Sequence, residues 1–598
     1  MDTPSIVGGV YKRKLAIICL YMSSSRRSFM QKMGATGAAI GSVSIAGCAS
    51  GDSKGNKNEA VNKKVEKNLP KDRKIGKKVH LSNTEKYWAE RYQANVVVDK
   101  WFREKLGVPI QTKPVEITVL TSREDKGDFD LTTYNWCADN GDPDGIIVNR
   151  FHKDGSENDY GFNNKKYNKV AMEQRRETDQ KKRQELVFEC QKILGEQRPE
   201  NQYLYNVYPY TYNNERIKKD SIVVTVTGLR NIWNYTQIEP NNDDGKTIVT
   251  NNWDPSDQLN PLHINGIGPS RNWTPIRFMH DFLIRPDKNQ KPTPWAAKDY
   301  EWKDKTTLNV NLKSGMTFHD GKPVTADDVT YTFNLILETE PPAYTNNVVS
   351  VVKSVKKTGN LSVQFKLEEP YAPFLSTTLG LTPILPKHYW TKLLKKMGNE
   401  KTPWKVSIGN KNPIIASGPF KWGTWDQGSK FEMPAFKEHS FAAPKIDKRV
   451  QKPLSTRDAE LETMKNGDYD LLDYWHGSPS SLKETVNKTK HLTLIQNSDD
   501  CRQACWMNTE HQPFDDVAFR QAANALIMSA QEIIINEVYD GFGNKAASPI
   551  NKTLKFWHNP DTPWFKDGVK GAVEILKDAG YVWDEQGSLY YPKGKTSN

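Results

Sequence analysis

Two catalytic signatures are missing from these 598 residues: a glycine-rich phosphate loop of the P-loop form, and an H-E-x-x-H pair. Their absence leaves P-loop nucleotide hydrolysis and zinc-dependent hydrolysis without support. Histidines number 11 and are scattered. Zinc-finger spacing and an aromatic RNA-binding motif are also lacking, so nucleic acid is not an expected partner. No apolar run is long enough for a good membrane span; the stretch from Met33 to Gly47 is short and rich in small residues. Gly51-Asp52-Ser53-Lys54-Gly55 has the G-x-S-x-G form, but no strand precedes it, so it reads as chance. What is present is ample apolar material: 36% hydrophobic and 10% aromatic residues, in a chain long enough for two or three lobes. Part of the net charge of +12 sits in the lysine-rich residues 54–78, a solvated basic stretch suited to an anionic membrane surface.

The N-terminal region reads as a leader. Ser25-Arg26-Arg27-Ser28-Phe29-Met30 has twin-arginine form, the short apolar run follows, and Ile45-Ala46-Gly47-Cys48 resembles a lipobox. Arg26 and Arg27 are the signal residues and Cys48 the expected lipidation site. Met22 is an alternative start that brings the motif close to the N-terminus. Residues 1–48 are thus read as leader and 49–77 as a flexible tether.

Further along, periodicity predicts a strand at Val79–Leu81. A helix follows, with Tyr87, Trp88, Val96, Val97 and Trp101 able to face the core, then a strand at Val115–Leu120. Trp136-Cys137-Ala138-Asp139-Asn140-Gly141-Asp142-Pro143-Asp144 is dense in turn formers and carboxylates. An amphipathic helix is expected over 178–195 with Cys190 buried, and strands at Gln202–Tyr208 and Ile222–Val226. Pro240 to Lys246 is a turn-rich break. Leu308, Val310 and Leu312 alternate as a strand does. Turns follow at Ser314-Gly315 and Asp320-Gly321-Lys322-Pro323, and Thr325 is the N-cap of a helix with Asp327 and Asp328 in its first turn.

The string from Leu312 to Phe333 resembles the signature of the family 5, peptide-type, extracellular solute-binding proteins of ABC importers. Ser417-Gly418-Pro419-Phe420, Gly467-Asp468-Tyr469-Asp470 and Pro513-Phe514-Asp515-Asp516 resemble later blocks of the same family, and Trp136-Cys137-Ala138-Asp139 resembles a block near its C-terminal end. The blocks are all there, in rotated order. The order reads as a circular permutation, with the old termini joined near 240–246; a rearranged gene is the alternative. Close termini on a compact domain make such a rotation physically cheap.

The resemblance implies an α/β, two-lobed periplasmic-binding-protein-like fold with an extra small domain, a hinged cleft and a permuted chain. One lobe combines 206–270 with 415–500, the small domain is 271–414, and the second lobe is discontinuous, 78–205 with 501–595. It implies capture of a solute outside the cytoplasmic membrane, a peptide above all, by a lipid-anchored monomer that delivers it to an ABC permease and ATPase complex. No reaction, cofactor or metal is implied. A ligand sensor or chaperone-like binder on the same scaffold is the second reading, and a cell-surface hydrolase the third. Asp139 is implied to pair with the peptide ammonium, although an Asx-turn role fits it too. Trp136 lines the cleft or belongs to the core, and Asp142 and Asp144 read as turn residues. Cys137 is implied to pair with Cys501. The family's carboxylate-binding arginine is replaced here by the stretch Ser82-Asn83-Thr84-Glu85, which favours longer peptides or a different solute over a strict dipeptide. Cys501 and Cys505 lack the two further ligands a metal needs.

Overall fold

Two long antiparallel strands, Glu200–Asn213 and Leu492–Met507, run through an eleven-stranded mixed sheet and join its two halves. The protein is described here by a computed structural model, covering residues 62–138, 140–241, 246–252, 259–263, 273–454, 456–475 and 477–596. On one side of the long pair lie Leu471–Leu472, Thr247–Asn252, Lys448–Pro453, Lys430–Pro434 and Trp425–Asp426. On the other lie Leu131–Trp136, Lys78–Asn83 and Ile110–Val115, the last two pairing in parallel. Both long strands are buried over most of their length, because elements cover both faces. Their pairing loses register between Ser498 and Arg502. Irregularities of this kind bend a strand locally.

The segment Thr307–Leu312 enters a separate four-stranded antiparallel sheet with Ala297–Trp302, Ser362–Leu367 and Val352–Gly359. Leu308, Val310 and Leu312 point inward, and Phe365 from the next strand meets Phe333 edge-on at 4.9 Å. Phe333 belongs to the helix Ala326–Thr339, which opens with a full capping box: the Thr325 hydroxyl and the Asp328 carboxylate each satisfy the other's backbone N–H. Asp328 also accepts from the backbone N–H of Lys387 at 3.0 Å, so one carboxylate ties two helix starts together. Thr325→Ala is expected to cost about 0.5–2 kcal/mol, read as a lower midpoint in urea unfolding at unchanged slope.

Several local expectations give way to tertiary context. Val115–Leu120 is not a strand: Ile110–Val115 is, and Ile117–Glu124 is a helix. Leu120 and Glu124 are buried while Val119 is 47% exposed, a helical period too short to tell from a strand in sequence. Tyr87 is exposed rather than in the core, since the helix begins only at Ala89. Ile222–Val226 forms no strand. Its backbone is satisfied by side chains instead: Val223 N–H donates to Asn234 Oδ1 at 3.0 Å, and Asn231 Nδ2 donates to the Val223 carbonyl at 2.9 Å. The expected tether 49–77 is docked in its second half. Ile75 N–H donates to the Leu589 carbonyl, Tyr591 N–H to the Arg73 carbonyl, and Glu66 N–H to the Trp583 carbonyl. Ile75 is buried against this chain end, which is what holds the segment down. No helix among the described residues is long and apolar enough to cross a membrane.

Candidate functional site

The strand Leu131–Trp136 pairs with Arg502 to Met507 and delivers the loop 137–144 to the level of the register break. Cys137 and Cys501 are joined there by a disulfide, one step beyond the facing pair Trp136 and Arg502. Trp136 is partly buried; the Arg150 guanidinium stands 5.3 Å from its ring, and the ring packs against the second-half core. Asp139 lies outside the described residues, as do Arg26, Arg27 and Cys48. Its neighbours are firmly placed. Asn140 adopts φ 50° and its Nδ2 donates to the carbonyls of Ser376 and Gly380, both at 3.1 Å. Gly141 has φ 78°, and a Cβ there would stand 2.6 Å from the Gln290 side chain, so only glycine fits.

Asp142 and Asp144 are more than turn residues. Asp142 does accept the Asp144 N–H at 2.9 Å, the turn role expected of it. Both carboxylates are also buried partners of arginines. Arg183 donates to Asp142 through both terminal nitrogens at 2.8 and 2.7 Å. Arg175 donates to Asp144 at 2.7 Å, and Gln174 Nε2 reaches the same carboxylate at 2.7 Å. The arginines come from the helices Lys165–Arg176 and Gln180–Gln197, so the loop is bolted to two helices by forked, charge-assisted bonds. The same helix region reaches the opposite side. Arg176 grips Glu369 at 2.7 and 3.1 Å, and the Ala372 N–H donates to the Arg175 carbonyl.

A cleft opens beside the long strands. Its walls include Asn206 and Tyr208 from the first long strand, Gln503 from the second, Trp88 and Glu90 at the start of the helix Ala89–Trp101, Trp475, and Tyr539 with Phe542. It therefore draws on both halves of the sheet. Asn206 links it to the loop, donating to Asn135 Oδ1 at 2.7 Å, one residue before Trp136. Burial raises the Glu90 carboxyl to about 7; Asp540 adds to the effect while a backbone hydrogen bond and Arg457 oppose it. Asp499, at the register break, is raised well above the carboxylate range by burial and by its neighbour Asp500. Sequence patterns did not single out any of these cleft residues except Trp88, which was assigned to the core. They are gathered from positions 88 to 542, and no local period connects them.

Among the described residues one trio has metal-like proximity: Cys137, Asp500 and Cys501. Both of its sulfurs are committed to the disulfide. Cys505 is buried beside His80, and Cys190 is buried in its helix. His319 is structural in setting, its Nε2 facing the Gly418 carbonyl at 2.9 Å, and burial lowers it to about 4. Trp425 is buried and packs with Trp422 and Phe431.

Residues 291–597 match the family model described as bacterial extracellular solute-binding proteins, family 5, middle region. Among curated relatives, the oligopeptide-binding protein AppA of Bacillus subtilis (strain 168) is 28% identical over 309 residues, 51% of this chain and 54% of that protein. The dipeptide-binding protein of Escherichia coli (strain K12) is 25% identical over 306 residues, 48% of this chain and 55% of that one. The chain thus spans little more than half the length of these relatives. Among solved structures, AppA in complex with a nonapeptide aligns at 24% identity and TM-score 0.46, covering 59% of this chain and 67% of that one. NikZ from Campylobacter jejuni in complex with Ni(L-His) aligns at 23% identity and TM-score 0.46, covering 59% and 66%.

Proposed function

Because this chain belongs to the family 5 extracellular solute-binding proteins, the family model covering just over half of it, we propose that it captures a peptide outside the cytoplasmic membrane and hands it to an ABC importer. The observation that carries this reading is the cleft itself. Among the described residues it lies across two half-sheets joined through the long strand pair, and that pair loses register at residues 498–502, the kind of irregularity at which strands bend. Ligand contacts on both walls would favour the closed arrangement, and release to the permease would accompany opening. Membrane attachment through Cys48 after twin-arginine export completes the reading and keeps the binder beside the transporter. The rotated block order is read as a circular permutation, supported by the docking of residues 73–75 on residues 589–591.

Asp139 is assigned the ligand ammonium. Its neighbours in the chain are held by cross-links, Cys137 by the disulfide and Asp142 and Asp144 by arginines. A carboxylate in a closing, water-poor cleft suits an ammonium, whose burial without a partner is costly. Asp139→Ala is expected to weaken binding of an unmodified oligopeptide by about 2–5 kcal/mol in titration calorimetry. The same peptide with its amino group acetylated should bind weakly to both proteins. Equal affinity of the variant and the parent for the free peptide would remove Asp139 from the site.

A further inference from the structure

The cleft beside the long strands has a lining of definite chemistry. Five rings bound it: Trp88, Tyr208, Trp475, Tyr539 and Phe542. Glu90 is the one ionisable carboxyl among its described walls. Two polar atoms in the lining are buried without a hydrogen-bond partner, Asn206 Oδ1 and the Tyr539 hydroxyl. Asn206 has already used its amide on Asn135 Oδ1 and on the Tyr208 hydroxyl at 3.2 Å. Its free oxygen can only accept. A buried acceptor left unsatisfied is unfavourable, and a site of this kind rewards a guest that brings a donor to it.

Charges of both signs stand around the cleft. Glu90 and Asp540 stand against Arg91 and Arg457. Arg91 is spent on the protein itself, lying 4.1 Å from the Trp88 ring and donating to Gln503 Oε1 at 3.2 Å. Arg457 reaches Glu460 at 3.2 Å. A lysine or arginine side chain would enter beside the Arg91 guanidinium, which already stands over the Trp88 ring. A flat, neutral side chain meets no such cost. Its ring can stack or pack edge-on against the five aromatic walls.

We propose that this cleft is a side-chain subsite that selects a neutral aromatic residue carrying a hydrogen-bond donor, tyrosine or tryptophan, in the captured peptide. The proposal rests on the peptide-binding reading above and deepens it. The donor of the guest, a phenol O–H or indole N–H, goes to Asn206 Oδ1, and the ring fills the space among Trp88, Trp475 and Phe542. The selecting residues come from both half-sheets, so the preferred side chain also favours closure.

The test uses the whole protein and pentaalanine, with single-substitution variants carrying Tyr, Trp, Phe, Leu or Lys at each of the five positions. Binding is measured by calorimetry. At one position Tyr and Trp should bind about tenfold to a hundredfold more tightly than alanine, the range expected for burying a large side chain. Phe should fall between, and Lys should gain nothing. Asn206→Leu should narrow the gap between Tyr and Phe peptides, and Trp88→Ala should reduce the aromatic preference as a whole. Melting curves of both variants report whether the fold is kept, and Trp88, at the partly exposed helix start, is the milder change. Equal affinity across the series would overturn the subsite while leaving peptide capture standing. A preference for Lys would overturn it in favour of a cation site. No binding of any peptide would overturn both the subsite and the reading it rests on.

Discussion

Arg183→Leu is expected to destabilise the half of the protein that holds the 137–144 loop by about 3–5 kcal/mol, the range seen when one member of a buried ion pair is removed. Arg183 and Asp142 each expose about 5% of their side chains and meet through two bonds of 2.8 and 2.7 Å. Arg183 also donates to Gln174 Oε1 at 3.2 Å and lies 4.8 Å from the Trp557 ring. Leucine restores much of the packing volume but none of the charge. Asp142 is then left buried, facing only the Asp144 N–H. Adding Asp142→Asn should recover a large part of the loss, because replacing both partners removes the stranded charge. Urea unfolding followed by tryptophan fluorescence reads both effects. A single variant as stable as the parent would show that the pair contributes no net stability. Ligand affinity should fall in the single variant as well, since the loop carrying Asp139 loses one of its two anchors.

The second large effect concerns the His80–Asp99 pair. Both side chains are fully buried, with Nδ1 2.7 Å from Asp99 Oδ1 and Nε2 2.9 Å from Thr133 Oγ1. Thr112 Oγ1 donates to the other Asp99 oxygen. The four residues come from the strands Lys78–Asn83, Ile110–Val115 and Leu131–Trp136 and the helix Ala89–Trp101, so the pair pins a helix onto three strands. Burial alone would lower the imidazole, but Asp99 overrides it, and His80 is raised to about 10. The folded protein then holds a proton that the unfolded chain gives up near the ordinary histidine value of about 6.5. The pair's contribution is fully present below about pH 6.5 and is lost as pH rises toward 10. Thermal midpoints should therefore decline between pH 7 and 10, and the decline should flatten in His80→Gln. Asp99→Ala, which strands the imidazolium, should cost about 3–5 kcal/mol at pH 6 and less at pH 9. A flat profile in the parent would show that His80 is neutral in the folded state.

These two networks mark the limit of what could be read from the chain alone. Thr325 and Asp328 are three residues apart, and the capping box they form was legible because a helix start satisfies its N–H groups locally. The alternation of Leu308, Val310 and Leu312 was legible for the same kind of reason, since a strand with one buried face must repeat every second residue. Ile222–Val226 looked equally strand-like, yet its N–H and C=O groups found Asn231 and Asn234 before any neighbouring strand. Helix Ile117–Glu124 was misread because four apolar-leaning residues are too few to distinguish a period of two from one of 3.6.

The sequence by itself determined the family, through short strings whose turns, caps and alternations are local hydrogen-bonding choices, and it located the loop around Asp139. Only the tertiary structure decided what the neighbouring carboxylates do. Asp142 meets an arginine 41 positions away and Asp144 one 31 positions away, while Asp499 lies beside Asp500 and is pushed upward by burial. It also decided the cleft lining, which draws single residues from between positions 88 and 542. The physical reason is one of range. Local bonds are fixed by residues within about one turn of each other. The state of a buried charge, or the shape of a cavity, depends on which distant segments exclude water from it, and no short stretch of sequence encodes that.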